Sequence, residues 1–186
     1  MSVTRERIME LAEDLILTKG YNSFSYQDIS SSMGIKNAAI HYYFPSKENL
    51  GASIIKMNIQ RFDEMTGNMK ELGFDEWQQL ESFIKLYHKS NREGKICLIG
   101  SLGTDFNTLS SSMQEELSTM IEKILHWLTD ILKEGKAKGQ FSFEEEPRLK
   151  AGLILSNLMA GVQLSRAMHK SDFRAIHQSI LEGLKS

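Results

Sequence analysis

Apolar residues recur at intervals of three or four along most of this chain, and that spacing predicts amphipathic helices rather than strands. The first helix is expected over residues 4 to 19. Its apolar face is expected to contain Ile8, Leu11, Ala12 and Leu15. Proline occurs only at positions 45 and 147, and no segment alternates convincingly between apolar and polar residues. The pattern therefore favours an all-α fold of about nine helices.

A glycine turn between two short predicted helices is the most specific feature of residues 20 to 50. Ser25 can cap the first of these helices, with Asp28 three residues later in the position of a capping box. Gly34 follows, where a left-handed residue would end that helix and turn the chain steeply into the next. Two helices joined in this way are the layout of a helix-turn-helix that reads DNA.

The second helix of this pair is expected over about residues 36 to 43, with Ile40 and Phe44 turned inward at a spacing of four. Its outward positions and their neighbours are candidate DNA contacts, because a recognition helix lies in the major groove. The candidates are Ser25, Tyr26, Lys36, Asn37, Ala38, His41, Tyr42 and Lys47. His41 is open to two interpretations: it contacts a phosphate or a base edge, or it is a neutral imidazole that packs beside Tyr42.

A resemblance to a known family covers residues 5 to 50. The residues that carry it are Gly20-Tyr21, Asp28-Ile29, Gly34-Ile35 and the ending Tyr43-Phe44-Pro45-Ser46-Lys47, with Glu48 and Leu50 after it. On these residues the segment resembles the N-terminal domain of the TetR family of bacterial one-component transcriptional repressors. His41 departs from the family, which commonly has Tyr there, so the operator sequence is not carried over.

The resemblance implies a helix-turn-helix DNA-binding domain at residues 1–46 and a helical ligand-binding and dimerisation domain at residues 47–186. It implies a repressor that binds palindromic, double-stranded operator DNA as a homodimer. A small hydrophobic or electrophilic effector would release the DNA by tilting the connector helix of residues 46–69. The alternative is a helical protein-interaction module without specific DNA binding.

The lack of excess positive charge limits how many phosphates such a DNA-binding domain can neutralise. The chain has a formal net charge of -2, and residues 1–50 contain five Lys and Arg against six Asp and Glu. Each subunit can then neutralise few phosphates, so we expect a modest salt dependence and an affinity that depends on dimerisation.

Composition excludes several classes of protein. With 186 residues, 41% of them apolar, the chain is long enough for one large or two small cores. No apolar run approaches the ~20 residues that span a bilayer, and MSVTRERIME has no apolar signal core, so a cytoplasmic location without membrane contact is expected. A single cysteine excludes an intrachain disulfide and a multi-cysteine zinc site, and we expect neither metal nor cofactor.

Catalytic motifs are missing from the sequence. The five histidines are not in HExxH spacing, and there is no GxSxG and no glycine loop of the kind that binds phosphates or dinucleotides. We therefore expect that the protein is not an enzyme.

The last two predicted helices have the character of an interface. Residues 149–168 are apolar almost all round, which indicates burial on more than one side. In the TetR family two such helices from each subunit form a four-helix bundle, and the resemblance implies the same here. The implied contacts are Leu153, Leu158, Gly161, Leu164, Phe173, Ile176, Ile180 and Leu184. An ordinary core within one subunit is the alternative.

Further helices are expected over residues 46–69, 76–90 and 112–137. A capping box of Ser112 and Glu115 would open the last of these. The acidic run at 144–146 and Pro147 suit the N-terminus of the helix that follows.

The effector site is the least defined part of the sequence, because TetR-family proteins share the architecture of this domain without sharing ligand residues. Candidate lining residues are Phe62, Met65, Phe83, Tyr87, Cys97, Phe106, His126, Trp127, Met159 and Gln163. Each of them is open to a second interpretation as an ordinary core residue.

Cys97 has two interpretations of its own. It lies in KICLIGSLGTDF, which resembles the cysteine-leucine-x-glycine stretch of a TetR branch that includes electrophile- and oxidant-responsive repressors. A thiolate there would be favoured by Lys95 and by the start of a short helix, which would make the cysteine a sensor. The alternative is a small buried hydrophobe.

Overall fold

The computed structural model describes residues 3–167 and 170–185, and within these ranges all regular structure is helical. The helices are α1 Val3–Lys19, α2 Tyr26–Met33, α3 Asn37–Tyr43, α4 Lys47–Glu71, α5 Glu76–Arg92, α6 Leu98–Thr104, α7 Ser111–Ala137, α8 Pro147–Leu164 and α9 Lys170–Glu182. Single turns of 3-10 helix at Tyr21–Ser23 and Phe106–Thr108 follow α1 and α6. The predicted all-α fold is confirmed.

The chain forms two compact units. Unit 1 runs to Arg61 and takes in Leu98–Met120, and unit 2 takes in Phe62–Cys97 and the chain from Ile121 onward. Helices α4 and α7 contribute residues to both units. Unit 1 therefore contains α6 and the start of α7 as well as the helix-turn-helix, and these lie outside the predicted DNA-binding domain of residues 1–46.

Helix α1 braces unit 1 with an apolar stripe. The stripe contains Ile8, Met9, Ala12 and Ile16, each 2% exposed or less. The predicted face was wrong at Leu11 and Leu15, which are partly exposed. The stripe that meets the core is rotated towards Met9 and Ile16, because the direction of burial is set by the helices packed against α1 and not by spacing alone.

Two helix starts in the second half of the chain show where local signals work. The Glu146 carboxylate accepts hydrogen bonds from the first two backbone N–H groups after Pro147, at 2.8 and 3.2 Å, so the predicted start of α8 is confirmed. The predicted capping box of Ser112 and Glu115 is wrong. The chain is extended at Leu109, which is buried, and it enters α7 directly afterwards with Ser110 as the cap.

Candidate nucleic-acid interface

The helix-turn-helix begins with a cap at Ser25. The carboxylate of Asp28 accepts hydrogen bonds from the backbone N–H and the hydroxyl of Ser25, at 2.7 and 2.8 Å. These bonds lower the pKa of Asp28 below its ordinary value. Helix α2 ends at Gly34, whose φ of 66° is left-handed. The predicted pairing of Ser25 with Asp28 and the predicted turn are both present.

The recognition helix α3 divides into a buried base and an exposed face. Ile40 is 0% exposed, and Phe44, at the end of the helix, is 1% exposed, as predicted. The outward side contains Lys36, Ala38, His41 and Tyr42, all exposed. Tyr42 is 81% exposed, and its ring packs edge-on against Tyr43 with centroids 5.0 Å apart. Ile40 and Phe44 therefore anchor α3 in the core of unit 1 and leave its other face exposed to solvent.

Tyr26 lies on the inside of this arrangement. It is 9% exposed, and its hydroxyl donates to the backbone carbonyl of Phe44 at 2.9 Å. Burial raises the pKa of Tyr26 to about 12, so the hydroxyl remains a neutral donor. The structure thus places Tyr26 as a support for the end of α3, which argues against the predicted direct contact with DNA.

Lys47 is also drawn into unit 1. Its ammonium donates to the carbonyl of Phe24 at 2.5 Å and lies 4.7 and 4.3 Å from the ring centroids of Tyr21 and Phe24. Burial lowers the pKa of Lys47, and the carboxylates of Asp28 and Asp105 oppose that effect. This cation is held by internal partners, which argues against its predicted contact with a phosphate.

Asn37 and His41 are tied to neighbours at the two ends of α3. The Asn37 amide donates to Gln27 Oε1 at 3.2 Å. His41 Nδ1 lies 3.2 Å from the carbonyl of Pro45, and its ring packs edge-on against Tyr26 with centroids 4.8 Å apart. The alternative interpretation of His41, packing beside Tyr42, is therefore wrong in its partner, because the imidazole packs against Tyr26 of α2. The His41 side chain is exposed, and its contact with DNA stays a prediction.

Side chains of α6 and of the turn after it hold the end of α1 and the segment that leads into the helix-turn-helix. Asp105 accepts a hydrogen bond from the backbone N–H of Asn22 at 3.3 Å, and Thr108 accepts one from the Asn22 amide at 2.9 Å. The buried hydroxyl of Ser101 donates to the carbonyl of Ile16 at 2.8 Å. Sequence reasoning missed these residues, because no local pattern reveals a partner more than 80 positions away.

Several effector-site candidates come together in unit 2 as an aromatic cluster of Phe62, Phe83, Tyr87 and Trp127. The ring centroids of contacting pairs in this cluster are 5.4 to 6.4 Å apart. Phe62, Phe83 and Tyr87 are each 8% exposed or less, and burial, followed by the nearby Cys97, raises the pKa of Tyr87 well above its ordinary value. These side chains pack on one another, as their interpretation as core residues predicts.

The remaining effector-site candidates are more exposed. Phe106 is 37% exposed, and it belongs to unit 1. His126 and Gln163 are exposed, whereas Met65, Cys97 and Met159 are partly exposed. Their exposure argues against a place for Phe106, His126 and Gln163 in an enclosed pocket. Helical spacing placed them near the apolar faces, but their side chains point to solvent.

The predicted dimer contacts divide into two groups. Leu158, Gly161, Phe173 and Leu184 are buried inside unit 2, where they pack α8, α9 and the end of the chain together. Leu153 and Leu164 are 43% and 52% exposed, and Ile176 and Ile180 are partly exposed. Leu153, Ile176 and Ile180 line a groove of about 550 Å³ between α8 and α9. The far end of the predicted apolar span, Met168, lies outside the described residues.

Neither metal ligation nor membrane insertion finds a site in the described part of the chain. Within residues 3–167 and 170–185, no group of three or more His, Cys, Asp or Glu side chains is placed to hold a metal ion. No helix in the same ranges is long and apolar enough to cross a membrane.

Comparison with known proteins agrees with this geometry. Residues 8–54 match the model for bacterial regulatory proteins of the tetR family. A TetR transcriptional regulator from Legionella pneumophila is 30% identical, with a TM-score of 0.85 and coverage of 100% of this chain and 99% of that one. A TetR-family regulator from Agrobacterium tumefaciens is 27% identical, with a TM-score of 0.91 and coverage of 98% and 97%.

A curated relative is a regulator as well. The HTH-type transcriptional repressor DhaR of Mycobacterium sp. (strain GP1) is 20% identical over 161 residues, which cover 85% of this chain and 80% of that protein. The fold and the exposed face of α3 define a helix-turn-helix transcription regulator. The chain belongs to the TetR family.

Proposed function

We propose that this chain is a repressor that binds palindromic operator DNA as a homodimer, with α3 of each subunit in a major groove. The observation that supports this most is the outward face of α3, on which Tyr42, His41, Ala38 and Lys36 are exposed together. An aromatic ring and a small methyl side chain on that face suit apolar contact with thymine methyl groups, and the cation suits a phosphate.

Replacing Tyr42 with alanine tests this face. Tyr42 is 81% exposed, so the variant should keep the stability of the wild type while its affinity for the operator falls about 5- to 150-fold, equivalent to about 1–3 kcal/mol. Leu72→Ala is the matched control, because Leu72 is 72% exposed in unit 2. Fluorescence anisotropy with palindromes upstream of the gene measures both. No specific binding by the wild type at any nearby palindrome would favour the interaction module instead.

We propose that the two subunits meet through the exposed apolar side of α8 and α9. Leu149, Leu153 and Leu164 are 57%, 43% and 52% exposed, and such a cluster of apolar side chains suits an interface. Sedimentation velocity of Leu153→Glu tests this assignment, with Leu72→Glu as the control. The first variant should be monomeric and should bind a full palindrome no better than a half-site. A dimeric Leu153→Glu variant would contradict the assignment.

The effector is proposed to act through unit 2 and to alter the spacing of the two recognition helices. Helix α6 follows Cys97 directly in the chain. Its Ser101 is bonded to Ile16, and Asp105 and Thr108 just after it are bonded to Asn22, so α6 and this turn are a suitable lever for the helix-turn-helix. Removing the anchor with Asp105→Ala and Thr108→Val should weaken operator binding without changing the dimer. Wild-type affinity in that double variant would contradict this role for α6.

Coupling of this kind is reciprocal. A thermal-shift screen of small hydrophobic and electrophilic compounds identifies an effector. DNA and that effector should then weaken each other's binding by the same factor, and independent binding would contradict the coupling. Cys97→Ser tests whether an electrophilic effector acts through this cysteine. A variant that still releases DNA on treatment with an electrophile would exclude Cys97 as the sensor.

A further inference from the structure

Two histidines from different helices of unit 2 face each other ring to ring. His88 of α5 and His177 of α9, the histidine pair, have ring centroids 4.2 Å apart and planes at 63°. Nε2 of His88 is hydrogen-bonded to Nδ1 of His177. The far nitrogen of His177, Nε2, is buried and has no hydrogen-bond partner among the described residues.

The histidine pair lies where α9 joins its neighbours. The ring of Phe173, which is 1% exposed, packs edge-on against His88 with centroids 5.1 Å apart. The same ring lies against α8 at Gly161, where an added Cβ would be 3.0 Å from two of its carbons. The pair and Phe173 together therefore hold α9 against α5 and α8. A change at the pair acts directly on the packing of α9 against these two helices.

The charged groups that face the histidine pair are mostly cations. Arg92 of α5 and Arg174 of α9 face the α5 histidine, and Glu81 and Lys85 of α5 face the α9 histidine. Burial is the largest cause that lowers the pKa of each imidazole. At His88 the two arginines lower the pKa further; at His177 the His88 ring and Lys85 lower it, and the Glu81 carboxylate opposes them. The same cations make the site unsuitable for a divalent metal ion.

Counting protons shows why acid should separate the two rings. A neutral pair has two protons on four nitrogens, and one of them forms the N–H···N bond between the rings. The neutral tautomer in which Nδ1 of His177 donates this bond keeps its buried Nε2 without a proton. A third proton, taken from water, then places an N–H on that nitrogen, which has no acceptor among the described residues. A fourth places two N–H donors opposite each other, so the bond between the rings is lost.

We propose that the histidine pair is an acid-sensitive contact, which holds α9 against α5 while both rings are neutral and releases it when they take up protons. The contact itself is independent of DNA binding. Its consequence for the regulator rests on the proposed function, because α9 belongs to the proposed dimer interface. Mild acid would then loosen that interface from within each subunit.

Imidazole NMR of the wild-type protein tests the contact without any substitution. Between pH 8 and pH 5 the rings of the histidine pair should take up protons only below the ordinary imidazole pKa of about 6.5, in two coupled steps. The backbone resonances of α9 should shift with the same midpoints. Protonation of both rings near the ordinary imidazole pKa, or α9 resonances that do not follow the rings, would overturn the proposal.

Variants provide an independent measurement. His177→Gln removes one of the two titrating rings and the bond between them, so the pH dependence of the melting temperature between pH 5 and pH 7 should be clearly smaller than in the wild type. His126→Gln is the matched control, because it removes an exposed histidine of α7, and it should retain the wild-type dependence. Equal pH profiles for wild type and His177→Gln would overturn the proposal. A dimer that is insensitive to pH, together with the expected ring and α9 changes, would support the contact and overturn the interface assignment.

Discussion

Replacing Lys47 with methionine removes an ammonium held inside unit 1 and keeps most of its apolar stem. The hydrogen bond from Lys47 to the Phe24 carbonyl, at 2.5 Å, is charge-assisted, and such bonds contribute about 1.5–3 kcal/mol. Each contact with the rings of Tyr21 and Phe24 contributes about 0.5–2 kcal/mol. Because one ammonium makes all three contacts, their energies do not add. We expect the variant to lower the free energy of unfolding by about 2–3 kcal/mol.

Urea denaturation and operator binding at several salt concentrations distinguish this internal role from a phosphate contact. Lys36→Met is the matched control, since Lys36 is exposed beside α3. The control should change stability by less than about 0.5 kcal/mol and reduce the salt slope by about 0.9 per subunit. Lys47→Met should do the reverse, with reduced stability and an unchanged slope. A Lys47→Met protein that is as stable as the wild type and has a flatter slope would refute the internal assignment.

Three further predictions concern other contacts. Gly161→Val should cost about 1–3 kcal/mol in a urea titration, because its side chain meets a buried ring of α9. Gly152→Val, where an added Cβ meets nothing within 4 Å, should cost less than about 0.5 kcal/mol, and equal costs would contradict close packing at the first site. Tyr26→Phe should cost about 1–3 kcal/mol by leaving the carbonyl after α3 without its donor, and unchanged stability and DNA affinity would count against that support. Asp28 has a lowered pKa in the folded state, so its stabilisation is present above the unfolded-state value of about 3.9 and is lost as the pH falls through the folded-state value. Asp28→Asn should therefore flatten the acid side of the melting curve, and a curve parallel to the wild type would show that the carboxylate is not responsible.

The helix-turn-helix could be predicted from the sequence because its signals act over a few residues. A cap at Ser25, a left-handed turn at Gly34 and the spacing of Ile40 and Phe44 need only nearby backbone to take effect. These features placed the outward face of α3 correctly. They could not show how its side chains are supported, since that depends on packing with other helices.

Tyr26 and Lys47 show the limit of this kind of prediction. Both are polar residues beside the recognition helix, and both have a polar end that suits DNA as well as it suits a backbone carbonyl. The rings and carbonyls that surround them in unit 1, among them Phe24 and Phe44, determine that both polar ends bind backbone carbonyls. No spacing along the chain reports those neighbours, so the two residues were assigned to the DNA.

The buried side of helix α8 could not be predicted, for a different reason. Its sequence is apolar almost all round, so no periodicity distinguishes the side that meets α9 from the side that remains exposed. Leu158 is buried at 0% exposure, whereas Leu153, five positions earlier, is 43% exposed. Residues of these two kinds belong to different contacts, one within unit 2 and one in the proposed interface between subunits.

Two cations, Arg5 and Lys47, have partners inside unit 1, and this affects how an effector can release the operator. Arg5 lies 4.9 Å from the ring centroid of Phe44, and Lys47 lies over the ring of Phe24, so these cations have partners inside unit 1. Lys36 is exposed beside α3, in a segment that is not basic. Non-specific affinity comes from neutralised phosphates and should therefore be low. In the proposed dimer, tight binding then requires both recognition helices at once, because the second half-site binds at the high effective concentration set by the first. An effector that misaligns one helix removes most of that gain, so a coupling energy of about 1–3 kcal/mol is enough to release the operator.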